Sequence, residues 1–141
     1  MAECKVGVVG VGRMGEYHAG VLSEMREAEF VGVVDSDQKR AKIISERYKT
    51  SNYREYKDLF SKVDAVVIAV PTSLHYAIGK EFIEEGIHTL LEKPCTDDLG
   101  QAEELFDLAA KKNVTLHIGH VERFNGAVQE LFKIVKNPIY I

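Results

Sequence analysis

The sequence predicts an α/β fold in which a doubly wound, mostly parallel sheet carries helices on both faces. Two observations predict it. Short valine-rich runs without polar alternation are typical of strands that are covered on both sides, and each run is followed by apolar residues at helical spacing. Strands and helices that alternate in this way form right-handed βαβ units. The chain of 141 residues is 45% hydrophobic, which is enough for one substantial core.

The first half of the chain begins with a strand over residues 5–9, followed by an amphipathic helix. The apolar stripe expected to face the sheet on this helix consists of Met14, Tyr17, His18, Val21, Leu22 and Met25. A second strand covers residues 30–34, after which Asp37 is placed to cap a helix that runs to residue 48. Residues 53–59 are ambiguous and combine a short strand with a turn of helix. Residues 65–70 form the clearest buried strand.

The second half of the chain continues the alternation. A helix starts near residue 73 and is capped by Gly86, a strand covers residues 88–91, and the next helix ends at Asn113. Asp98 and Gln101 have the spacing of a capping box at the head of that helix. The residues expected to be buried by these two helices are Leu74, Ala77, Ile78, Phe82, Leu99, Ala102, Leu105 and Leu108.

The last part of the chain is predicted to be a strand and a helix. The strand covers residues 115–118, and the helix starts near Gly126 and carries an apolar stripe. That stripe consists of Val128, Leu131, Phe132 and Val135. Asn137-Pro138 is expected to end the helix, and residues 139–141 to begin a further strand.

Composition excludes several classes of function. The net charge is −4 and no block of basic residues occurs, so we expect no nucleic-acid partner. The two cysteines are far apart and form no CxxC, which is typical of a reduced, cytoplasmic protein. The apolar run at residues 6–11 is too short for a membrane span and lacks a signal-peptide cleavage site. His117 and His120 have no neighbouring cluster of ligands, so we expect no metal site.

The most informative motif is Gly10-Val11-Gly12-Arg13-Met14-Gly15, a GxGxxG sequence between a buried strand and an amphipathic helix. This context is the one that a Rossmann-type dinucleotide site requires. Gly10 allows a sharp turn off the strand, Gly12 lets a diphosphate approach the backbone, and Gly15 allows the helix to pack closely on the strand. The amino terminus of the helix, with Arg13 and Met14 in its first turn, offers N–H groups to the phosphates.

An acidic residue at the end of the second strand indicates which cofactor binds. Asp35 follows Gly15 by twenty residues, and a carboxylate there accepts hydrogen bonds from ribose hydroxyls and repels a 2′-phosphate. We therefore expect NAD rather than NADP as the cofactor. Arg40 would weaken this preference if it reached back to the ribose, although a solvated arginine in a first helical turn is the more common arrangement.

Three later loops carry polar residues, and each follows a predicted strand. The sequences are Val70-Pro71-Thr72-Ser73-Leu74-His75, Glu92-Lys93-Pro94 and Gly119-His120-Val121-Glu122-Arg123-Phe124-Asn125. Because the carboxyl ends of parallel strands share one edge of a sheet, we expect these loops to border the same ligand crevice.

Taken together, these motifs resemble the glucose–fructose oxidoreductase / myo-inositol dehydrogenase (Gfo/Idh/MocA) family over nearly the whole chain. The first and third of these loops, at residues 70–75 and 119–125, look most like those of members that act on nucleotide-linked N-acetyl sugars, such as UDP-N-acetylglucosamine 3-dehydrogenases. The resemblance implies an NAD-dependent oxidoreductase that oxidises a secondary hydroxyl of a sugar or nucleotide sugar by hydride transfer. It also implies a Rossmann domain over residues 1–121, with residues 122–141 as a connecting helix and the first strand of a truncated α+β substrate domain.

The resemblance also implies roles for particular residues. Lys93 is the catalytic lysine and contacts the hydroxyl, either as the base or only to orient the substrate. Glu92 holds the nicotinamide ribose, and the Lys93–Pro94 bond is cis. The remaining cofactor-binding residues implied by the resemblance are Val70, Pro71, Thr72, His75, Arg123 and Asn125. The family often has asparagine soon after the proline of the first loop, where this chain has Thr72-Ser73.

Several alternatives remain open from the residues themselves. His75 would bond the backbone at a helix start instead of lying near the cofactor, and Arg123 and Asn125 would only brace the final helix. The chain is expected to be either an enzyme fragment that is inactive without its second half, a stand-alone dinucleotide-binding module, or a domain that no longer binds dinucleotide. The fragment predicts an exposed apolar patch around the final helix, and a homo-oligomer for the full-length protein.

Overall fold

The computed structural model describes residues 4–136 and contains one six-stranded sheet. The strands are β1 (Cys4–Val9), β2 (Ala28–Val34), β3 (Ser51–Tyr53), β4 (Ala65–Ile68), β5 (His88–Leu91) and β6 (Leu116–Ile118). Their order is β3-β2-β1-β4-β5-β6, and every pairing between neighbours is parallel. This is the strand order of a Rossmann fold, so the predicted fold class is confirmed.

Helices follow the strands as the sequence predicts. They are α1 (Arg13–Glu24), α2 (Gln38–Tyr48), α3 (His75–Glu84), α4 (Leu99–Lys112) and α5 (Gly126–Ile134). Short 3-10 turns lie at Tyr56–Leu59, Thr72–Leu74 and Val121–Phe124. The residues expected at the end of α5 and after it, from position 137 onward, lie outside the described part of the chain.

The hydrophobic core lies on both faces of the sheet because the chain winds in two directions from β1. On one face, Ala19 and Leu22 of α1 and Ile44 of α2 pack against the valines of β1 and β2. On the other face, Phe82 of α3 and Leu105 of α4 pack against β4 and β5. Both faces are therefore covered by helices, which explains why the central strands contain so few polar residues.

Three predicted helix ends are confirmed. The Asp37 side chain accepts hydrogen bonds from the backbone N–H groups of Lys39 and Arg40 at the start of α2, and Asp98 accepts one from Gln101 at the start of α4. Asn113 ends α4 in the left-handed conformation, with φ of 55°. Local side-chain chemistry thus sets these boundaries, which is why they were predictable from sequence.

The buried face predicted for α1 is correct only at Leu22. The structure buries Gly15, Ala19 and Leu22 of this helix, whereas Tyr17 and Val21 are exposed. The expected stripe contained the larger side chains, but α1 lies so close to the sheet that only small residues fit beneath its first turns. Leu74, Ala77 and Leu99 were also expected to be buried, but they are exposed at the starts of α3 and α4.

Within residues 4–136, no helix combines the length and the apolar character that crossing a bilayer requires. In the same part of the chain, no group of three or more histidine, cysteine, aspartate or glutamate side chains is arranged to hold a metal ion.

Candidate functional site

The main crevice of the molecule opens at the carboxyl edge of the sheet, between β1 and β4. At this point the chain leaves one strand towards α1 and the other towards α3, on opposite faces, and the divergence creates a cleft. Its volume is about 730 Å³, which is within the range of small-molecule and cofactor sites. The predicted site residues that line it are Gly10, Gly12, Arg13, Met14, Asp35, Val70 and Pro71.

The glycine-rich turn leads directly from β1 into α1 along one wall of this crevice. Gly10 has a φ of +84°, and a Cβ atom there would lie 2.6 Å from the carbonyl oxygen of Ala69. A side chain at position 12, by contrast, would meet only the Nη1 atom of Arg40, at 3.9 Å. The backbone at Gly12 is therefore open towards the crevice, as close approach by a diphosphate requires.

The amino terminus of α1 provides the anion-binding end of the crevice. Gly12 occupies the N-cap position, and no side chain makes a capping hydrogen bond there. The first N–H groups of a helix have no partner within it, and the helix dipole favours negative charge at this end. An uncapped helix start that opens into a cleft fits the phosphates of a dinucleotide.

Gly15 holds α1 against β1 instead of lining the crevice. A Cβ atom at this position would lie 1.8 Å from the carbonyl oxygen of Gly10. Since that neighbour is backbone and cannot rotate away, position 15 accepts only glycine in this packing. The position of the helix terminus relative to the strand therefore depends on Gly15.

Asp35, at the end of β2, presents a fixed carboxylate on the opposite side of the glycine turn. The residue is only 7% exposed. Its Oδ2 accepts a hydrogen bond of 2.8 Å from the backbone N–H of Val11, and its Oδ1 accepts a hydrogen bond of 2.8 Å from the backbone N–H of Asp37. A carboxylate offers about four acceptor positions, so acceptor capacity remains for ribose hydroxyls in the crevice.

The Arg40 side chain is 48% exposed, as expected for a solvated arginine in a first helical turn, but its guanidinium also lies close to the Asp35 carboxylate. Its Nη1 atom lies 3.6 Å from Oδ2 of Asp35, its Nη2 atom lies 3.6 Å from Oδ2 of Asp37, and the residue lines the crevice. The positive charge therefore stands beside the carboxylate that is expected to repel a 2′-phosphate. Of these three charged side chains, Asp35 and Arg40 line the crevice.

Several crevice residues were not identified from the sequence. They are Ser36, Arg54, Glu55, Tyr56, Ala77 and Ile78. Arg54, Glu55 and Tyr56 follow β3, whose carboxyl end lies at the same edge of the sheet, and this position was the available signal. Burial, together with the nearby Glu81 carboxylate, raises the pKa of the Tyr56 hydroxyl, and Tyr56 lines the crevice.

The Glu92-Lys93-Pro94 segment follows β5, next along the sheet edge after β4, but does not line the enclosed crevice. The Lys93–Pro94 peptide bond is cis, as expected from the resemblance. Lys93 is exposed, whereas Glu92 is buried and forms a hydrogen bond of 2.8 Å between its Oε1 and Nε2 of His18. Sequence periodicity had assigned His18 to an apolar stripe, so this contact was missed.

His75 contacts backbone, which is the alternative arrangement that the sequence left open. The residue is 1% exposed. Its Nδ1 atom lies 2.8 Å from the carbonyl oxygen of Pro94, and its Nε2 atom lies 2.9 Å from that of Val70. His75 therefore ties the cis-proline segment to the chain that leaves β4.

The other residues implied by the resemblance lie outside the enclosed crevice. Thr72 is in the 3-10 turn before α3. Asn125 caps α5 by accepting a hydrogen bond from Ala127, and its Nδ2 donates to Glu122. The exposed Arg123 accepts a hydrogen bond at its backbone carbonyl from Gln129. These contacts brace the start of α5.

The fold and the glycine turn define a dinucleotide-binding domain, and comparison with known proteins gives its family. Residues 4–120 match the Gfo/Idh/MocA family, described as "Oxidoreductase family, NAD-binding Rossmann fold". The chain belongs to this family of enzymes, and the family inferred from its motifs is confirmed.

Two of the relatives are named as dehydrogenases of a nucleotide sugar and of a sugar phosphate, UDP-N-acetylglucosamine 3-dehydrogenase and glucose-6-phosphate 3-dehydrogenase. UDP-N-acetylglucosamine 3-dehydrogenase of Acidithiobacillus ferrooxidans is 34% identical over 131 residues, which cover 93% of this chain and 41% of the relative. Its crystal structure has a TM-score of 0.88 at 33% identity, over 95% of this chain and 44% of that chain. The chain thus spans about two fifths of the length of such relatives.

Similar structures contain either nicotinamide cofactor. GenD2 from gentamicin A biosynthesis, in complex with NAD, has a TM-score of 0.82 and 30% identity, covering 84% of this chain and 35% of that one. A 3-ketoreductase from Actinomadura kijaniata, in complex with TDP-benzene and NADP, has a TM-score of 0.88 and 26% identity, covering 94% and 43%. The family therefore establishes a nicotinamide dinucleotide as the ligand class, without choosing between the two.

Proposed function

We propose that this chain binds NAD and is the cofactor half of a dehydrogenase that oxidises a secondary hydroxyl of a sugar or nucleotide sugar. The observation that carries the proposal is the uncapped start of α1 at Gly12, which opens into the same crevice as the buried Asp35 carboxylate. The first feature fits a diphosphate and the second fits a ribose diol. The start of α1 and the Asp35 carboxylate lie on either side of the glycine turn, so a dinucleotide could place its diphosphate at one and its adenosine ribose at the other.

The strand order supports one direction for the bound cofactor. Asp35 follows β2, the glycine turn follows β1, and Val70 and Glu92 follow β4 and β5. We therefore propose that the adenosine half lies on the β2 side, beside Arg54 and Tyr56, and the nicotinamide half on the β4 and β5 side. When bound, NAD supplies an acceptor for the hydride that leaves the hydroxyl-bearing carbon.

We propose Lys93 as the residue at the reacting end, and its position after β5 supports this role. It follows β5 and is exposed, so its amine is free to meet a substrate hydroxyl. As the hydride leaves the carbon, the hydroxyl proton must be transferred and the carbon becomes a ketone. Lys93 either accepts that proton or orients the hydroxyl while another group accepts it.

The surface around α5 supports the fragment hypothesis over a stand-alone module. Phe124, Phe132 and Ile134 are each about three quarters exposed, at 74%, 74% and 76%. An apolar surface of this kind is typical of a covered interface. We therefore propose that residues 1–121 form the cofactor domain and residues 122–141 lead into a substrate domain, in a cytoplasmic protein that forms a homo-oligomer when full length.

Calorimetric titration of the 141-residue chain with NADH, NADPH and ADP tests the proposal. We expect saturable binding of NADH, weaker binding of NADPH, and binding of ADP through the shared adenosine and diphosphate groups. Absence of heat with all three ligands would refute the dinucleotide site. Tighter binding of NADPH than of NADH would refute the preference assigned to Asp35.

Arg40 is expected to lessen that preference. Replacing Arg40 with glutamine removes the positive charge beside Asp35, so NADPH affinity should fall about tenfold while NADH affinity changes by less than about threefold. Titration of both cofactors measures the two effects. Lys42→Gln is the matched control, because it removes the same charge from a solvent-facing position of α2 that pairs with Glu46. Equal losses for both cofactors in the Arg40 variant would contradict the expectation.

A further inference from the structure

The Glu92 carboxylate makes two hydrogen bonds although it is almost completely buried, at 4% exposure. Its Oε1 lies 2.8 Å from Nε2 of His18, and its Oε2 accepts a hydrogen bond of 3.1 Å from the backbone N–H of Lys93. Gly119, at the end of β6, leaves space for it, since a Cβ atom there would lie 3.0 Å from Oε1. This is a built polar site and not a solvated surface pair.

A buried carboxylate requires partners to offset its loss of hydration. Among the side chains of the described residues, His18 is the one that bonds Glu92. His18 lies on α1, the same helix whose amino terminus opens into the crevice, and Glu92 lies at the end of β5, directly before Lys93. The pair therefore connects the diphosphate end of the site to the strand end that carries the lysine.

We propose that His18 is a positioning residue, which fixes the Glu92 carboxylate and through it the backbone of Lys93 at the nicotinamide end of the site. This inference rests on the proposed function. Because Glu92 has two occupied acceptor positions and a carboxylate offers about four, the fixed carboxylate keeps acceptor capacity for a nicotinamide ribose hydroxyl. Without a donor at His18, the carboxylate would lose its position and turn towards water.

The predicted effect is confined to one half of the cofactor. Glu92 follows β5, whereas Asp35 follows β2, on the other side of the glycine turn. ADP contains the adenosine and diphosphate groups but lacks the nicotinamide riboside. A residue that positions Glu92 should therefore affect NADH and leave ADP unchanged, whereas a residue that only stabilises α1 should affect both.

The test compares His18→Met with His18→Gln, two unbranched side chains of similar length of which only glutamine donates a hydrogen bond. Titrations use the 141-residue chain with NADH and with ADP. We expect His18→Met to weaken NADH binding about tenfold, equivalent to about 1.4 kcal/mol, and ADP binding by less than about twofold. His18→Gln should recover NADH affinity to within about threefold of the unsubstituted chain. Val21→Met, at an exposed position of the same helix, is the control.

A second measurement follows the position of Lys93 without any ligand. Its amide N–H donates to Glu92, so hydrogen exchange at this amide should be faster in His18→Met than in His18→Gln or the unsubstituted chain, while the amides of β1 stay protected. Equal losses of NADH and ADP affinity, no loss of either, or failure of glutamine to restore NADH binding would each overturn the inference. An unsubstituted chain that binds neither ligand would refute the proposed function, and this inference with it.

Discussion

Replacing Gly15 with alanine is expected to lower the free energy of unfolding by about 3 kcal/mol and to abolish NADH binding. A methyl group there would lie 1.8 Å from the carbonyl oxygen of Gly10. Because the obstructing atom belongs to the backbone, relief requires that α1 move away from β1, which displaces the helix terminus from the crevice. Urea denaturation measures the loss of stability, and calorimetric titration measures the loss of binding.

Gly12→Ala separates the two effects. The new methyl group would have only the Arg40 guanidinium nearby, at 3.9 Å, and φ at this position is −66°, which alanine adopts readily. We expect stability to change by less than about 0.5 kcal/mol, and NADH affinity to fall about a hundredfold because the methyl group stands where the diphosphate approaches the backbone. Unchanged NADH affinity in Gly12→Ala would show that the phosphates bind elsewhere.

Asp35→Asn is expected to change both stability and cofactor choice. The carboxylate accepts hydrogen bonds from the backbone N–H groups of Val11 and Asp37 with its two oxygens, whereas an amide has only one oxygen. One N–H group would then lose its partner, at a cost of about 2 kcal/mol. Loss of the negative charge should also shift the ratio of NADPH to NADH affinity about tenfold towards NADPH, with Arg40 nearby. Thermal denaturation and paired titrations measure the two effects.

Asp37→Asn is the matched control for this variant. It removes one negative charge from the same loop, yet asparagine is as good an N-cap as aspartate, so α2 should remain capped. We expect its NADPH-to-NADH ratio to change by less than about twofold. If Asp35→Asn gave no larger shift than Asp37→Asn, the role assigned to Asp35 in cofactor preference would be contradicted.

Local signals predicted the strands and the helix ends well. The run at residues 88–91 matches β5 at both ends, and Asp98, Asn113 and Asp37 cap the helices that they were expected to cap. Such features depend on residues within one or two turns of each other. For the same reason the glycine turn was recognisable, since its geometry is imposed by positions within one short segment.

Contacts between distant segments were predicted poorly. His18 and Glu92 are 74 residues apart in the sequence. Periodicity placed His18 in an apolar stripe, because a hydropathy pattern contains no information about a hydrogen-bond partner in a distant segment. Arg40 is exposed to solvent as expected, but the sequence did not show that it also lies beside Asp35. Tyr56 lies in the crevice because of the sheet order, which places the end of β3 at the same edge as β1. In each case the missing information was where a side chain lies relative to a distant segment, which only the folded structure decides.

The sequence by itself determined the order of the elements, the glycine turn, the acidic residue after the second strand and the family to which these motifs belong. All of them are encoded within single segments by backbone preference and apolar periodicity. Tertiary structure alone decided which face of α1 is buried, that Arg40 turns to Asp35 and that His18 bonds Glu92. Those arrangements depend on how closely segments far apart in the chain approach, and the approach is fixed only when the sheet assembles and its helices pack.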